Sequence, residues 1–188
     1  MGKLIVFNSV SLDGYFADAN GSMSFAHRDT NDAEWSDFVS GNAQGGGILV
    51  FGRITYDLMA SYWPTPMAGK NEPIVAERMN NLPKVVFSRS MRSAAWNNTR
   101  LVKSDPADEI RKLKKDSAEG MAIMGSGTIV SQLAQEGLVD EYQLVVVPVV
   151  LGKGRTMFEG VRRILQFKLL SSRAFANGNV VLSYAPLS

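Results

Sequence analysis

The sequence predicts an α/β protein, a three-layer α/β/α sandwich around a mixed, mainly parallel sheet with a C-terminal antiparallel hairpin. Two observations carry this expectation. From Lys3 to Gly137, short β-rich apolar runs alternate with stretches of helical periodicity, the pattern of strands joined by crossover helices. Beyond Gly137 only strand-like runs remain, and Asn177-Gly178 between the last two is a hairpin signal.

The elements follow in order. "KLIVFNSVS" reads as a central first strand, and "LDGYFADANGS", with Asp13-Gly14 and Asn20-Gly21, as a loop. Thr30 to Ser40 carries Trp35, Phe38 and Val39 at helical spacing. "GGGILVFGR" is a continuous apolar strand of the kind buried on both faces, and "ITYDLMASYW" a helix. "WPTPMAGKNEP" reads as a Pro/Gly-rich loop. "PKVVFSRS" and "TRLVKS" are strands, and Asp105-Pro106 opens the helix "ADEIRKLKKD" with proline in its first turn. "MAIMG" is a strand, followed by the helix "TIVSQLAQEG", which Gly137 ends. "DEYQLVVVPVVLG" reads as a long strand with an edge or a bulge at Pro148. "FKLLSSRAF" and "NVVLSYA" form the terminal hairpin.

The length of 188 residues fits one domain over 1–188 with a substantial core. A net charge of +2 without a basic tract gives no reason to expect nucleic acid or a membrane surface as partner. There is no cysteine, which excludes disulfides and thiolate chemistry, and His27 is the only histidine, so no metal site is expected. The N-terminal apolar run is interrupted by Asn8, Ser9 and Ser11, unlike a signal peptide or a membrane span, and a cytoplasmic protein is expected.

Two strand ends lead into helices through glycine: Phe51-Gly52-Arg53-Ile54-Thr55 and Met124-Gly125-Ser126-Gly127-Thr128. A helix N-terminus has unpaired N–H groups and the positive end of a dipole, so it can hold a phosphate. Arg53 and Thr55 would add a charge and a hydroxyl, Ser126 and Thr128 further donors. Two such termini side by side could take a pyrophosphate; either alone could equally be a tight βα turn. Ser88 and Arg89 stand at a third strand end, where they could hold a ribose 2′-phosphate, or Arg89 alone could be a solvated surface arginine. The glycine loop lies too late in the chain for a Rossmann domain, whose loop follows the first strand. Asp13 could orient substrate or relay a proton after hydride transfer, or else cap a turn with Gly14. Lys153 and Arg155 make a basic loop that could meet a phosphorylated substrate, or a solvated turn.

Taken in order, "SLDGYFA", "LVFGRITYDLMASYWP", "LPKVVFSRS", "AIMGSGTIVSQLAQEGLVDEYQLVVVPVVLGKGRTMF" and the closing hairpin resemble the dihydrofolate reductase-like superfamily. Within it they resemble stand-alone relatives of the C-terminal reductase domain of the riboflavin-biosynthesis protein RibD. The resemblance implies NADPH as cofactor. It places Gly52, Arg53 and Thr55 at the phosphate-binding helix start, Ser88 and Arg89 beside the adenosine phosphate, and Gly125, Ser126, Gly127 and Thr128 at the pyrophosphate. It sets Ala17 along the nicotinamide and Trp63, Phe158 and Glu159 on the substrate side, although core packing explains the two aromatics as well, and it implies a homodimer. The apolar run "YQLVVVPVV" is the candidate edge or face for that contact.

The expected activity is therefore an NADPH-dependent reductase, related to 5-amino-6-(5-phosphoribosylamino)uracil reductase, acting on a small heterocyclic or carbonyl substrate. Two alternatives stand beside it. A dihydrofolate reductase proper would need a carboxylate for the pterin; Asp32, Glu34 and Asp37 are available, none clearly matching, and the Pro-Trp pair of its loop is absent. A dimeric binding protein could have kept the fold and lost the chemistry.

Overall fold

The structure, a computed structural model, describes residues 1–27, 32–44 and 47–187. Its elements are β1 (Leu4–Ser11), β2 (Ala17–Asp18), α1 (Ala33–Gln44), β3 (Ile48–Gly52), α2 (Arg53–Tyr62), α3 (Pro66–Asn71), α4 (Pro73–Asn81), β4 (Lys84–Phe87), β5 (Thr99–Val102), α5 (Pro106–Asp116), β6 (Met121–Met124), α6 (Gly127–Gln135), β7 (Glu141–Val147), β8 (Gly154–Arg155), β9 (Phe167–Ala174) and β10 (Val180–Pro186).

Eight strands form one sheet in the order β5-β4-β3-β6-β1-β7-β10-β9. Neighbours from β5 through β7 pair in parallel, β10 runs against β7, and β9 runs against β10. Strand alternation divides the apolar side chains between two helical layers. Val50, Val85 and Ile123 pack with Ile110 and Leu133 of α5 and α6. Leu49, Phe51 and Val86 pack with Tyr56, Val75 and Met79 of α2 and α4. Phe7, Val145 and Val147 meet Trp35 and Phe38 of α1. The expected three-layer sandwich with its terminal hairpin is thus the fold that forms. Among the described residues, no helix is long and apolar enough to cross a membrane.

Local expectations fare unevenly. Asp105 caps α5, accepting from the amides of Ala107 at 2.8 Å and Asp108 at 3.4 Å, with Pro106 in the first turn as expected. Gly137, at φ 65°, ends α6, and the Leu138 amide reaches back to the Leu133 carbonyl. Helix α1 runs from Ala33 to Gln44; Thr30, where the expected helix began, lies outside the described residues, as do Gly45 and Gly46.

Three expectations are corrected. The "WPTPMAGKNEP" segment is not a loop but largely helical, because Pro66 and Pro73 each occupy a first helical turn, where a missing N–H costs nothing. The long strand expected through Pro148 stops at Val147, and it is an interior strand between β1 and β10 rather than an edge. The loop after the first strand contains β2, which pairs with β8 as a second, two-stranded sheet.

Lys84 is the least expected core residue, only 1% exposed at the start of β4. Its ammonium donates to the carbonyls of Asn80 (3.1 Å), Leu82 (2.8 Å) and Asn97 (3.0 Å) and lies 4.6 Å from the Trp96 ring centroid. It thereby closes the C-terminal end of α4 and the turn before β5. Burial pushes its pKa down to about 8 from 10.5. Between those values the unfolded chain binds more protons than the folded one, so this group's contribution to stability rises with pH. Lys84→Met should cost about 2 kcal/mol near neutral pH, through the orphaned carbonyls. In urea unfolding the deficit should widen as pH is raised through that window; a constant deficit would show that the charge has no part in it.

Candidate functional site

Strands β3 and β6 are hydrogen-bonded neighbours, and each turns through glycine into a helix. Their two turns are fastened to one another. The Gly52 amide donates to Ser126 Oγ at 2.6 Å, Ser126 Oγ donates to Thr55 Oγ1 at 3.1 Å, and the Ser126 amide donates to the same Thr55 oxygen at 3.1 Å. Thr55 is buried, and its hydroxyl serves as a clasp between α2 and α6. The clasp holds Ser126 at φ 60°, directly after Gly125 at φ 67°, two left-handed residues in succession.

The glycines are explained by this packing. A Cβ on Gly52 would lie 2.7 Å from Ser126 Oγ, and one on Gly125 would overlap Thr55 Oγ1. From below, Asn8 of β1 accepts from the Gly125 amide at 2.5 Å and sets its own amide 2.9 Å from Met157 Sδ. Asn8 is buried, and sequence reasoning missed it. The signal was an asparagine inside the apolar run "LIVFNSV", since a buried amide must find partners.

The facing wall comes from β2 and β8, where the Phe16 amide donates to the Arg155 carbonyl at 2.9 Å and Ala17 pairs with Arg155. Gly127 lets this wall close on α6, since a Cβ there would meet the Phe16 ring at 2.8 Å and the Thr156 carbonyl at 2.9 Å. Between these parts lies a cleft of about 320 Å³. Of the residues singled out in the sequence, Ala17, Gly52, Arg53, Thr55, Ser126, Gly127, Thr128, Arg155 and Glu159 line it together. It is completed by Phe16, Gly21, Met23, Ile54, Leu58, Phe87, Ile129 and Thr156, which were not singled out. Ile54 and Leu58 were detectable as an apolar pair one turn apart on α2, and both remain exposed.

The other named residues lie elsewhere. Gly125 sits behind the cleft, bonded to Asn8. Ser88 and Arg89 follow Phe87, with Ser88 Oγ accepting from the Met91 amide at 3.1 Å and Arg89 exposed. Arg89 is close enough to Asp105 to help keep its carboxyl below the ordinary value, an effect due first to the Gln132 amide. Trp63 is buried in the α2–α4 layer rather than on a substrate side. Phe158 packs on Tyr142 and lines a separate apolar pocket with Val161, Leu165 and Phe167. Lys153 is exposed away from the cleft. Asp13 does not face the cleft either; its carboxylate accepts from Ser11 Oγ at 2.6 Å, the Leu151 amide at 3.1 Å and the Gly152 amide at 2.7 Å. His27 is exposed.

The acids expected of α1, Asp32, Glu34 and Asp37, are engaged or turned out. Asp32 accepts from the amides of Trp35 (3.1 Å) and Asn177 (3.0 Å), Glu34 pairs with Arg173 at 2.7 Å, and Asp37 is exposed. None of the three lines the cleft, where Glu159 is the only acid among the described residues.

Comparison with solved structures shows the same fold. A putative riboflavin biosynthesis protein from Shewanella sp. PV-4 superimposes with a TM-score of 0.77 over 99% of both chains, at 24% identity. Dihydrofolate reductase from Enterococcus faecalis, complexed with NADP(H), matches at 0.65 over 100% of this chain and 98% of that one, at 13% identity. A diaminohydroxyphosphoribosylaminopyrimidine deaminase/5-amino-6-(5-phosphoribosylamino)uracil reductase from Thermotoga maritima matches at 0.67 and 16% identity, with 99% of this chain lying on 57% of that one. The sequence pattern of one family, the RibD C-terminal domain, runs through residues 2–181, so the chain belongs to the RibD C-terminal domain family.

Proposed function

We propose that this protein is an NADPH-dependent reductase that transfers hydride to a small heterocyclic or carbonyl substrate, related to the pyrimidine reductase of the Thermotoga protein. One observation carries the reading: the N-termini of α2 and α6 open side by side into one cleft, tied across Gly52, Thr55 and Ser126. Their free N–H groups and dipole ends suit the two phosphates of a dinucleotide. Thr55 and the Ser126 hydroxyl act within the clasp, so phosphate binding falls to backbone N–H groups, Thr128 and Arg53. Arg53 is only loosely held, 3.5 Å from Asp57 with both side chains half exposed, and is free to turn toward an anion. Ser88 and Arg89, beyond Phe87, would meet a 2′-phosphate.

Bound NADPH would supply the hydride; the chain would supply position and surroundings. Phe16 and Ala17 would flank the nicotinamide, with Met23, Ile54 and Leu58 as an apolar rim for a substrate ring. Glu159, which lines the cleft, would hydrogen-bond that ring or return a proton.

The cleft favours this reading over a folate reductase, because none of Asp32, Glu34 and Asp37 lines it. Among the described residues a pterin's ring N–H groups would have Glu159 alone as a carboxylate, and not an acid of the helix after the first loop. A homodimer is also proposed, through a different strand from the one first expected. The sheet has two edges, β5 and β9, and on β9 Leu169 and Leu170 are each 50% exposed. A second copy pairing along this edge would cover both.

Three measurements test these proposals. NADPH should bind saturably and more tightly than NADH, and Arg53→Ala and Arg89→Ala should each weaken it by roughly tenfold, the loss of a charge-assisted hydrogen bond. No binding at millimolar cofactor would sink the reductase reading in favour of a binding protein that kept the fold. Methotrexate should fail to compete or to bind the NADPH complex; tight binding would restore the folate reading. Light scattering should give a dimer that Leu170→Lys turns into monomer, whereas a monomeric wild type would end the dimer proposal.

A further inference from the structure

Asp13 is exposed, and its carboxylate is bonded by two neighbouring loops. One carboxylate oxygen accepts from Ser11 Oγ and the Leu151 amide, the other from the Gly152 amide. Ser11 Oγ in turn accepts from the Tyr15 amide at 3.0 Å, which orders the turn before Phe16. Across the same seam the Leu12 amide donates to the Val149 carbonyl at 2.8 Å. The loop after β1 and the loop after β7 are therefore joined before either reaches its short strand. That strand pairing is minimal: β2 and β8 share two residue pairs, Ala17 with Arg155 and Asp18 with Gly154. A ladder this short is not stable by itself. It nevertheless carries one wall of the cleft.

We propose that Asp13 is a positioning residue: its carboxylate latches the β1–β2 loop to the β7–β8 loop and so fixes the wall formed by Phe16, Ala17 and Arg155. A carboxylate suits the task because it accepts several bonds at once, and bonds to a charged acceptor are stronger than neutral ones. Gly152, at φ 75°, gives its loop the left-handed turn that brings its amide to Asp13. The Ser11 hydroxyl first, and the two amides after it, hold the carboxyl below its usual value, so it stays ionised throughout the neutral range. The latch belongs to the chain itself, and its effect on a ligand rests on the reductase reading above. It makes a division within that ligand: the adenosine end would lie beyond Phe87, with Ser88 and Arg89, and the nicotinamide against the latched wall.

The test compares wild type with Asp13→Ala, which removes no core side chain, by hydrogen exchange and by binding. Amide exchange at Leu151, Gly152 and Tyr15 should accelerate by at least roughly tenfold while the sheet amides of β1 and β7 stay protected. NADPH affinity should fall by roughly tenfold, but affinity for 2′,5′-ADP, which lacks the nicotinamide, should not change. Asp13→Glu, which keeps a carboxylate, should recover part of the loss. Unchanged exchange at Leu151 and Gly152 would overturn the latch. Equal losses for NADPH and 2′,5′-ADP, or no loss for NADPH, would overturn its positioning role. If wild type binds neither nucleotide, the reductase reading fails, and so does the nicotinamide role; the exchange data still decide whether the latch exists.

Discussion

The site depends on one small set of hydrogen bonds, the clasp in which Thr55 and Ser126 bind across two helix starts. Two helices leaving neighbouring parallel strands do not align their N-termini without help, since each βα turn has its own freedom. Here the Gly52 amide, the Ser126 hydroxyl and the buried Thr55 hydroxyl lock the turns together. The cost is Ser126 in a left-handed conformation, of the order of 1 kcal/mol for a non-glycine residue. Asn8 supports the arrangement from below by occupying the Gly125 amide. A polar side chain in the central strand is thus tied to the geometry of the cleft rather than to the core it interrupts.

The fold was largely legible because its signals were local and periodic. Apolar runs such as "ILVFG" and "KVVF" are read by length and flanking glycine or proline, and the helices by spacing and caps. The failures also have physical causes. Proline at 66 and 73 reads as a breaker in sequence, yet its fixed φ starts a helix as readily as it ends one. The position of β7 in the sheet was invisible, because strand order is set by pairing across the whole chain. Lys84 could not be recognised as a core residue, since its partners are carbonyls of three other residues and carry no sequence signature.

The candidate site was legible where glycine and helix starts coincide, and illegible where the wall comes from elsewhere. Gly52, Arg53, Thr55 and the Ser126-Gly127-Thr128 start converge because their two strands are neighbours in one sheet. Met23, Ile54 and Leu58 gave only an ordinary apolar pattern, and their exposure depends on a cleft no local rule describes. For Trp63 and Phe158 a substrate wall and core packing were both open. Both are large aromatics, and the sheet faces offered each a core in which to bury.

The use of polar groups around the cleft narrows what can act as a chemical participant. Asp13 is taken up by two amides and a hydroxyl, Asp32 by two amides, and Glu34 by Arg173. The hydroxyls of Thr55 and Ser126 are taken up by one another. A group already satisfied in this way would have to break good bonds to serve a ligand, at about 1 kcal/mol or more for each. The groups still available include helix-start N–H groups, Thr128, Arg53, Arg155 and Glu159. All of these but Glu159 attract negative charge. A bound dinucleotide would satisfy the cationic side, leaving Glu159 as the acid with which a substrate's own N–H or carbonyl chemistry has to be matched. Substrate choice would then turn on the apolar rim of Met23, Ile54 and Leu58 together with that single carboxylate, a pairing that suits a flat ring with few polar edges better than a heavily hydrogen-bonded pterin.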